Sequence, residues 1–526
     1  MALIGWKGIR PGRGAFQSPE RFQPRRSPAD SDSLAGAVNP TDDDSLALLT
    51  DLYQLTMACG YWRSGIAERE AVFHLHFRKN PFEGGYAVAC GLHAAIAWLD
   101  RLRFTEGDLG YLRTLQGNDG GALFPEEFLT WLGQMRLSLD IDAAPEGSVV
   151  FAHEPLVRVQ GPLLQCQLVE TALLNLLNFH TLVATKAARV CAAAQGDQVL
   201  EFGLRRAQGI DGSLAASYAA YVGGVHATSN VLAGRRFGIP ARGTHAHAWV
   251  MAFGDELESF REYARTLPNN CVFLVDTFDT LQGVRHACEV GAWLREQGHK
   301  LVGVRLDSGD LAYLSIEARK ILDAHGFTDA AIVASNDLDE RLIESLKHQG
   351  AAITVWGVGT KLVTAFDQPA LGGVYKLSAI RERGGAWQHR IKLSEQAAKI
   401  STPGVQQVRR FLQDGVFVGD MIYDSSEGAE PSRTMIDPFD PTRRRSFAEG
   451  LTHLDLLVPV YRGGQKVYAQ PGIHEARERT RAQVASLHPT VRRFDNPHSY
   501  PVGLEQSLHA LRTRLVLEAR GLDKAD

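Results

Sequence analysis

Leu301-Val302-Gly303-Val304-Arg305-Leu306-Asp307-Ser308-Gly309-Asp310 is an apolar run that ends abruptly in charge and turn residues. Its aliphatic first half reads as a strand buried on both faces, and its polar second half as the loop at the strand's carboxyl end. The same unit recurs along the chain. Strands are predicted at 199–203, 224–228, 239–244, 271–276, 301–307, 331–335 and 353–357, seven in all, separated by amphipathic helical stretches. Several of these helices stop at a glycine: Gly238, Gly298, Gly326 and Gly350.

Consecutive βα units with right-handed crossovers and no evident reversal of order curl into a parallel barrel, although an open doubly wound sheet satisfies the same pattern. The expected fold is therefore α/β: an irregular parallel (βα) barrel of about seven strands, with a second mixed α+β lobe formed from the N- and C-terminal segments. The expected boundaries are an extension over 1–44 rich in Arg, Pro, Gly and Ser, lobe segments at 45–198 and 373–526, and the barrel at 199–372. A helix is expected from Thr50-Asp51, with Leu52, Leu55, Cys59 and Trp62 on one face. A hairpin is expected at Gly373–Leu377 and Trp387–Lys392, and closing helices near 473–486 and 503–519.

Composition narrows the function. With 56 Lys+Arg against 60 Asp+Glu, the formal charge of −4 gives no global basic field for nucleic acid or a membrane surface. The six cysteines are scattered through apolar segments without metal-ligand spacing, which suits free thiols in a reducing compartment. No uninterrupted apolar run reaches a membrane span, so a cytoplasmic location is expected. His74 and His76, alternating with Phe73, Leu75 and Phe77, are expected on the solvent side of a strand.

Ligands of parallel α/β folds bind beyond the carboxyl ends of the strands, and here every such end is polar or small. They include Arg205-Arg206, Thr228-Ser229-Asn230, Thr244-His245-Ala246-His247, Asp276-Thr277, Asp307-Ser308 and Ser335-Asn336-Asp337. The last strand ends in Gly357-Val358-Gly359-Thr360-Lys361, whose backbone N–H groups suit a phosphate. It is neither a Walker A loop nor a Rossmann fingerprint, which excludes a P-loop kinase. Val272 to Thr280 superficially matches the apolar-run-plus-acids signature of type I phosphoribosyltransferases, but it lacks the paired acids and the following Thr-Gly. Asp276 is left as a mouth residue without a role.

Five motifs in this order carry a more specific signal: Thr50-Asp51-Leu52-Tyr53-Gln54-Leu55-Thr56-Met57, Glu201-Phe202-Gly203-Leu204-Arg205-Arg206, Gly243-Thr244-His245-Ala246-His247, Arg305-Leu306-Asp307-Ser308-Gly309-Asp310 and Gly357-Val358-Gly359-Thr360. Together they resemble the motif series of nicotinate phosphoribosyltransferases, over a span from about Leu46 to the C-terminal helices. The resemblance implies a homodimer that joins nicotinate to the ribose of phosphoribosyl pyrophosphate, with ATP as cosubstrate and Mg²⁺ accompanying the phosphates. It implies that Tyr53 crosses the subunit interface to stack on the pyridine ring; on residues alone, Tyr53 reads as a core aromatic. It implies that ATP phosphorylates His247; His245 and His247 also resemble a metal pair, but no third ligand offers itself and no metal site is assigned.

Chemistry suggests roles for the remaining residues. Arg305 offers a cationic fork for the carboxylate and Thr244 a further hydroxyl or backbone contact. Asp307 suits the ribose hydroxyls and the developing sugar cation, while Arg205, Arg206 and Lys361 join Gly357, Gly359 and Thr360 as candidates for the phosphates. In the related nicotinamide enzymes an Asp stands where Ser229 does here, so a neutral hydroxyl favours an acid substrate. A nicotinamide enzyme, a quinolinate enzyme and a non-catalytic nucleotide-binding protein of the same fold are the rivals.

Overall fold

The structure is a computed structural model that describes residues 45–426, 428 and 430–522, so the expected extension over 1–44 lies outside the described residues. The buried aliphatic runs form a six-stranded sheet from Gln198–Glu201, Ala227–Thr228, Val272–Leu274, Gly303–Leu306, Ala331–Ala334 and Val355–Val358. All its pairings are parallel, and the first strand lies beside the last. From one edge the order is Ala227–Thr228, Gln198–Glu201, Val355–Val358, Ala331–Ala334, Gly303–Leu306 and Val272–Leu274. The sheet ends at Ala227–Thr228 and Val272–Leu274, and no strand pairing joins these two edges: the seam between them leaves the expected barrel open.

The seam falls where the seventh strand was expected. Residues 239–244 form no strand; Ala241 makes a single parallel bridge to Thr228. Pro240 lacks an N–H and Gly243 favours irregular backbone, so the segment bonds to Thr228 through the Pro240 carbonyl and the Arg242 N–H, both at 3.0 Å, and then turns away. Across the seam the Leu274 N–H donates to Nε2 of His245 at 3.2 Å. A side chain stands in for a missing ladder bond.

Residues before and after the parallel sheet share a second, antiparallel sheet. Its order is Gln388–His389, Val374–Arg381, Glu70–His76, Val157–Pro162, Asp140–Ala143, Val458–Arg462 and Gln465–Lys466. The expected hairpin is its edge pair, with Ala379 opposite His389. A third sheet of six strands is built from 406–413, 416–424, 434–436, 444–446, 452–455 and 502–505. It also overturns the expectation for His74. That ring is buried, and its Nε2 accepts the Gln406 N–H at 3.1 Å, because the chain of the third sheet covers the face expected to meet water. Burial holds His74 well below the usual imidazole range and pushes half-buried His76 down to about 3.

Helix Leu52–Arg63 buries Leu55 and Ala58 but leaves Leu52 and Tyr53 exposed, and its N-cap Asp51 accepts from Thr171 Oγ1 at 2.9 Å instead of capping the helix. The C-terminal helices are Ile473–Ala485 and Gln506–Ala519. One helical stretch, Leu163–Ala193, is long and apolar enough by length and composition to cross a membrane, but most of it is buried inside the protein. Its Lys186 and Arg189 are fixed by Glu340, both at 2.8 Å. All six cysteines are free thiols, four buried and Cys59 and Cys191 half-buried.

Candidate active site

Strand Gly303–Leu306 places Arg305 at its carboxyl end, and neighbouring segments supply partners for each nitrogen of the guanidinium. Nε donates to Ser335 Oγ at 2.8 Å, Nη1 to Thr244 Oγ1 at 2.9 Å and Nη2 to Asp307 Oδ1 at 2.8 Å. Ser335 also donates to Asp307. A guanidinium carries five N–H groups, so one on each terminal nitrogen is left for a ligand.

Beneath it lies Phe202, whose ring centre is 5.6 Å from the guanidinium carbon. Glycine at 357 makes this stacking possible, since a Cβ there would stand 2.7 Å from the Phe202 ring. Thus Gly357 acts through packing under the arginine. At Gly359 a Cβ would approach the Phe202 carbonyl to 3.3 Å, and Thr360 opens a single helical turn, Thr360–Val363, whose first N–H groups have no partner within the turn.

One strand further along, Asp276 joins the two halves of the site. Its Oδ1 lies 3.0 Å from His247 Nε2, while its Oδ2 accepts the Asp307 N–H at 2.9 Å and the Ser308 hydroxyl at 2.6 Å. The carboxylate is almost fully buried, whereas the His247 side chain is 39% exposed. Asp276 therefore orients an accessible imidazole. Its position at a strand end, like that of Asp307, was the signal in the sequence, but nothing there paired it with His247.

His245, two residues from His247, belongs to the core. It packs against Phe260, Tyr263 and Phe273, and burial pushes its ring down to about 4. Among the described residues no group of three His, Cys, Asp or Glu side chains is placed to hold a metal.

The structure thus gathers Thr244, Arg305 and Asp307 directly, with His247 joined through Asp276. Sequence reasoning missed Ser335, Phe202 and Glu201 as partners; buried Glu201 accepts from Ser217 Oγ at 2.8 Å and from Thr228 Oγ1, tying adjacent strand ends together. Ser229 is half-buried beside this pair, its N–H donating to the Glu201 carbonyl at 2.8 Å. Arg205 and Arg206 are exposed on the single turn Leu204–Arg206, and Lys361 is engaged by Asp339 at 2.6 Å. Tyr53 is 48% exposed on a helix of the other lobe.

Three family models match successive parts of the chain. The nicotinate phosphoribosyltransferase N-terminal domain matches residues 48–178, the nicotinate phosphoribosyltransferase family model 198–401 and the corresponding C-terminal domain 405–512. The chain belongs to the nicotinate phosphoribosyltransferase family. A nicotinate phosphoribosyltransferase of Bacillus subtilis is 44% identical over 488 residues, covering 90% of this chain and 97% of that protein. The crystal structure of human nicotinic acid phosphoribosyltransferase superposes with a TM-score of 0.77 at 33% identity, over 89% of this chain and 99% of the human one. A nicotinate-nucleotide pyrophosphorylase from Pyrococcus furiosus shares the fold, with a TM-score of 0.65 at 21% identity over 85% of this chain and 97% of that one. For a nicotinate phosphoribosyltransferase family member, the mouth of the parallel sheet is the place to seek the transfer chemistry.

Proposed function

We propose that the protein transfers the 5-phosphoribosyl group of phosphoribosyl pyrophosphate to nicotinate, with ATP as cosubstrate, and so supplies nicotinate mononucleotide for NAD biosynthesis in the cytoplasm. The observation that carries this reading is the group formed by Arg305, Thr244, Ser335 and Asp307 beside the His247–Asp276 pair.

The two uncommitted N–H groups of Arg305 receive the nicotinate carboxylate, and Thr244 and Ser335 fix the guanidinium plane. The pyridine nitrogen donates its electron pair to C1 of the ribose; the bond from C1 to the pyrophosphate oxygen breaks, and pyrophosphate leaves with that pair. Asp307 faces the positive charge that develops on the sugar. Arg205 and the N–H groups around Gly359 and Thr360 take the phosphates, while Gly357 keeps Phe202 in place beneath Arg305. Ser229 leaves the site without the acid that an amide substrate would require.

His247 is the group phosphorylated by ATP. With Nε2–H directed at Asp276, its Nδ1 keeps the lone pair and attacks the terminal phosphate, while ADP departs with the bridging oxygen. Mg²⁺ fits this site as an ion carried by substrate phosphates, because the acids at the mouth are few and largely committed to hydrogen bonds. It supplies charge neutralisation for the pyrophosphate.

The working unit is a homodimer in which Tyr53 of one chain stacks on the pyridine ring held by the other. Apolar side chains stand exposed just beyond several strand ends, including Ile210, Val231, Met251, Phe278 and Tyr313, as expected of a surface covered by a second copy. Residues 199–372 act as the catalytic unit, with His245 bridging its seam, and the described residues of 45–198 and 373–522 form the lobe that covers the partner's mouth. The test is turnover with phosphoribosyl pyrophosphate, ATP and Mg²⁺. Nicotinate should be consumed and nicotinamide should not; preference for nicotinamide would refute the substrate assignment.

A further inference from the structure

The C-terminal sheet carries a cleft of about 550 Å³ lined by none of the strand-end residues of the parallel sheet. Its walls come from the Asp437–Arg445 loop and strand, the Phe151–His153 turn and the His498–Gly503 segment. The volume matches that of sites for small organic ligands, which run from about 300 to about 1,000 Å³.

The loop is rigidly built. Asp437 Oδ1 accepts the N–H groups of Phe439 at 2.8 Å and Asp440 at 3.2 Å, and the Asp437 N–H donates to the Arg443 carbonyl at 3.0 Å. Pro438 and Pro441 restrict the backbone between these bonds, and Arg512 Nη1 holds the Pro438 carbonyl at 3.1 Å. The Phe439 backbone is thereby held in place, and the residue is 46% exposed. Its ring leans on His153, 4.9 Å between ring centres, and His153 has φ 73°, a left-handed conformation that few residues other than glycine adopt. Phe151 and Tyr500 stack 3.9 Å apart as another wall, with the Tyr500 hydroxyl donating to buried Asp420 at 2.7 Å.

Charge makes the cleft specific. Arg443, Arg444 and Arg445 all line it together with His498, and Asp437 is the one acid among its lining residues. Asp437 lies 3.8 Å from Arg443, and Arg444 donates through Nε to the Pro441 carbonyl at 3.2 Å. Arg445 is partly committed, donating to the Val418 carbonyl at 2.6 Å. Three exposed guanidinium groups against one carboxylate, in a chain of net charge −4, form a local cationic excess that suits an anionic ligand. Burial pushes His153 down to about 4, so that ring serves as a neutral surface.

We infer that this cleft is a second ligand site, apart from the transfer site, that takes a nucleoside phosphate, with phosphate oxygens on Arg443 and Arg444 and the base stacked on Phe439. The inference does not depend on the transferase reading. The fluorescent analogue TNP-ADP is the probe, titrated into full-length protein. Wild type should bind one more equivalent per chain than Arg444→Ala or Phe439→Ala, or bind it at least about tenfold more tightly, which corresponds to about 1.4 kcal/mol. ADP should displace that equivalent more readily than pyrophosphate does, and both variants should keep their melting temperature and their nicotinate turnover. Unchanged binding in both variants would overturn the site, and equal displacement by pyrophosphate would overturn the nucleotide assignment.

Discussion

Asp276 and His247 are joined by a hydrogen bond of 3.0 Å between a nearly fully buried carboxylate and a solvent-accessible imidazole. Because the carboxylate is also fixed by the Asp307 N–H and the Ser308 hydroxyl, the ring's orientation is set by the same strand end that carries Arg305. Phosphate should therefore form on Nδ1, which ³¹P NMR of the denatured phosphoprotein reads directly. Phosphate on Nε2 would contradict this tautomer, and acid-labile phosphate surviving in His247→Ala would remove the role altogether.

Asp276→Asn keeps the shape but no longer supplies a charged acceptor for the imidazole. Labelling from ATP should slow by about 100-fold or more, the usual scale for losing an oriented base. Transfer measured without ATP should fall much less. An equal fall in both would mean that Asp276 acts on the fold of the mouth and not through His247.

Arg305→Lys retains the charge but loses the planar fork that reaches Ser335, Thr244 and Asp307 at once. The nicotinate kcat/KM should fall at least about 100-fold, or about 2.7 kcal/mol of transition-state binding, with a much smaller effect on thermal stability. Arg305→Ala should behave similarly. Parallel loss of activity and stability would make the residue structural.

Gly357→Ala tests the floor of the same site. The added Cβ meets the Phe202 ring at 2.7 Å, so either the ring or the strand must move. A cost of about 1–3 kcal/mol in unfolding free energy is expected, together with a higher KM for nicotinate, because Phe202 supports the Arg305 guanidinium. Unchanged KM in a folded variant would separate this packing from substrate binding.

These contacts mark how far the sequence could be read. Polar residues at the ends of β-branched runs located the mouth, because strand ends and helix stops are local features. The partnership of Asp276 with His247 was not legible, since it joins segments 29 residues apart across the seam. The segment at 239–244 passed for a strand by composition, but the position of Pro240 allowed only one bridge. His74 alternates with apolar neighbours as a solvent-facing residue would; only the cover supplied by Gln406, 332 residues away, reverses that reading.

The His245 contact across the seam makes stability depend on pH. Burial lowers this ring to about 4, and lowers His153 and His180 to about 4 as well, while the unfolded imidazole titrates near about 6.5. The unfolded chain binds protons that the folded chain refuses, so the stability from neutral rings is fully present above about 6.5 and is lost as pH falls towards about 4. For His245 the shift corresponds to roughly 3 kcal/mol. Urea midpoints measured across this range should drop for wild type and drop less steeply for His245→Asn. Identical slopes would show that the seam does not couple to protonation.

Tyr53 supplies the most demanding test, because its role requires a second chain. It stands exposed on helix Leu52–Arg63, whereas Arg305 is held at the mouth of the parallel sheet. If each site takes Tyr53 from one chain and Arg305 from the other, Tyr53→Ala and Arg305→Ala damage different halves of it. Hybrids of the two variants then carry one doubly damaged site and one intact site. Unfolding and refolding an equal mixture should recover about a quarter of wild-type activity, since about half the dimers are hybrids with one working site each. Either variant refolded alone should stay nearly inactive. A mixture no more active than its components would place Tyr53 and Arg305 in the same chain's site, or Tyr53 outside the site altogether.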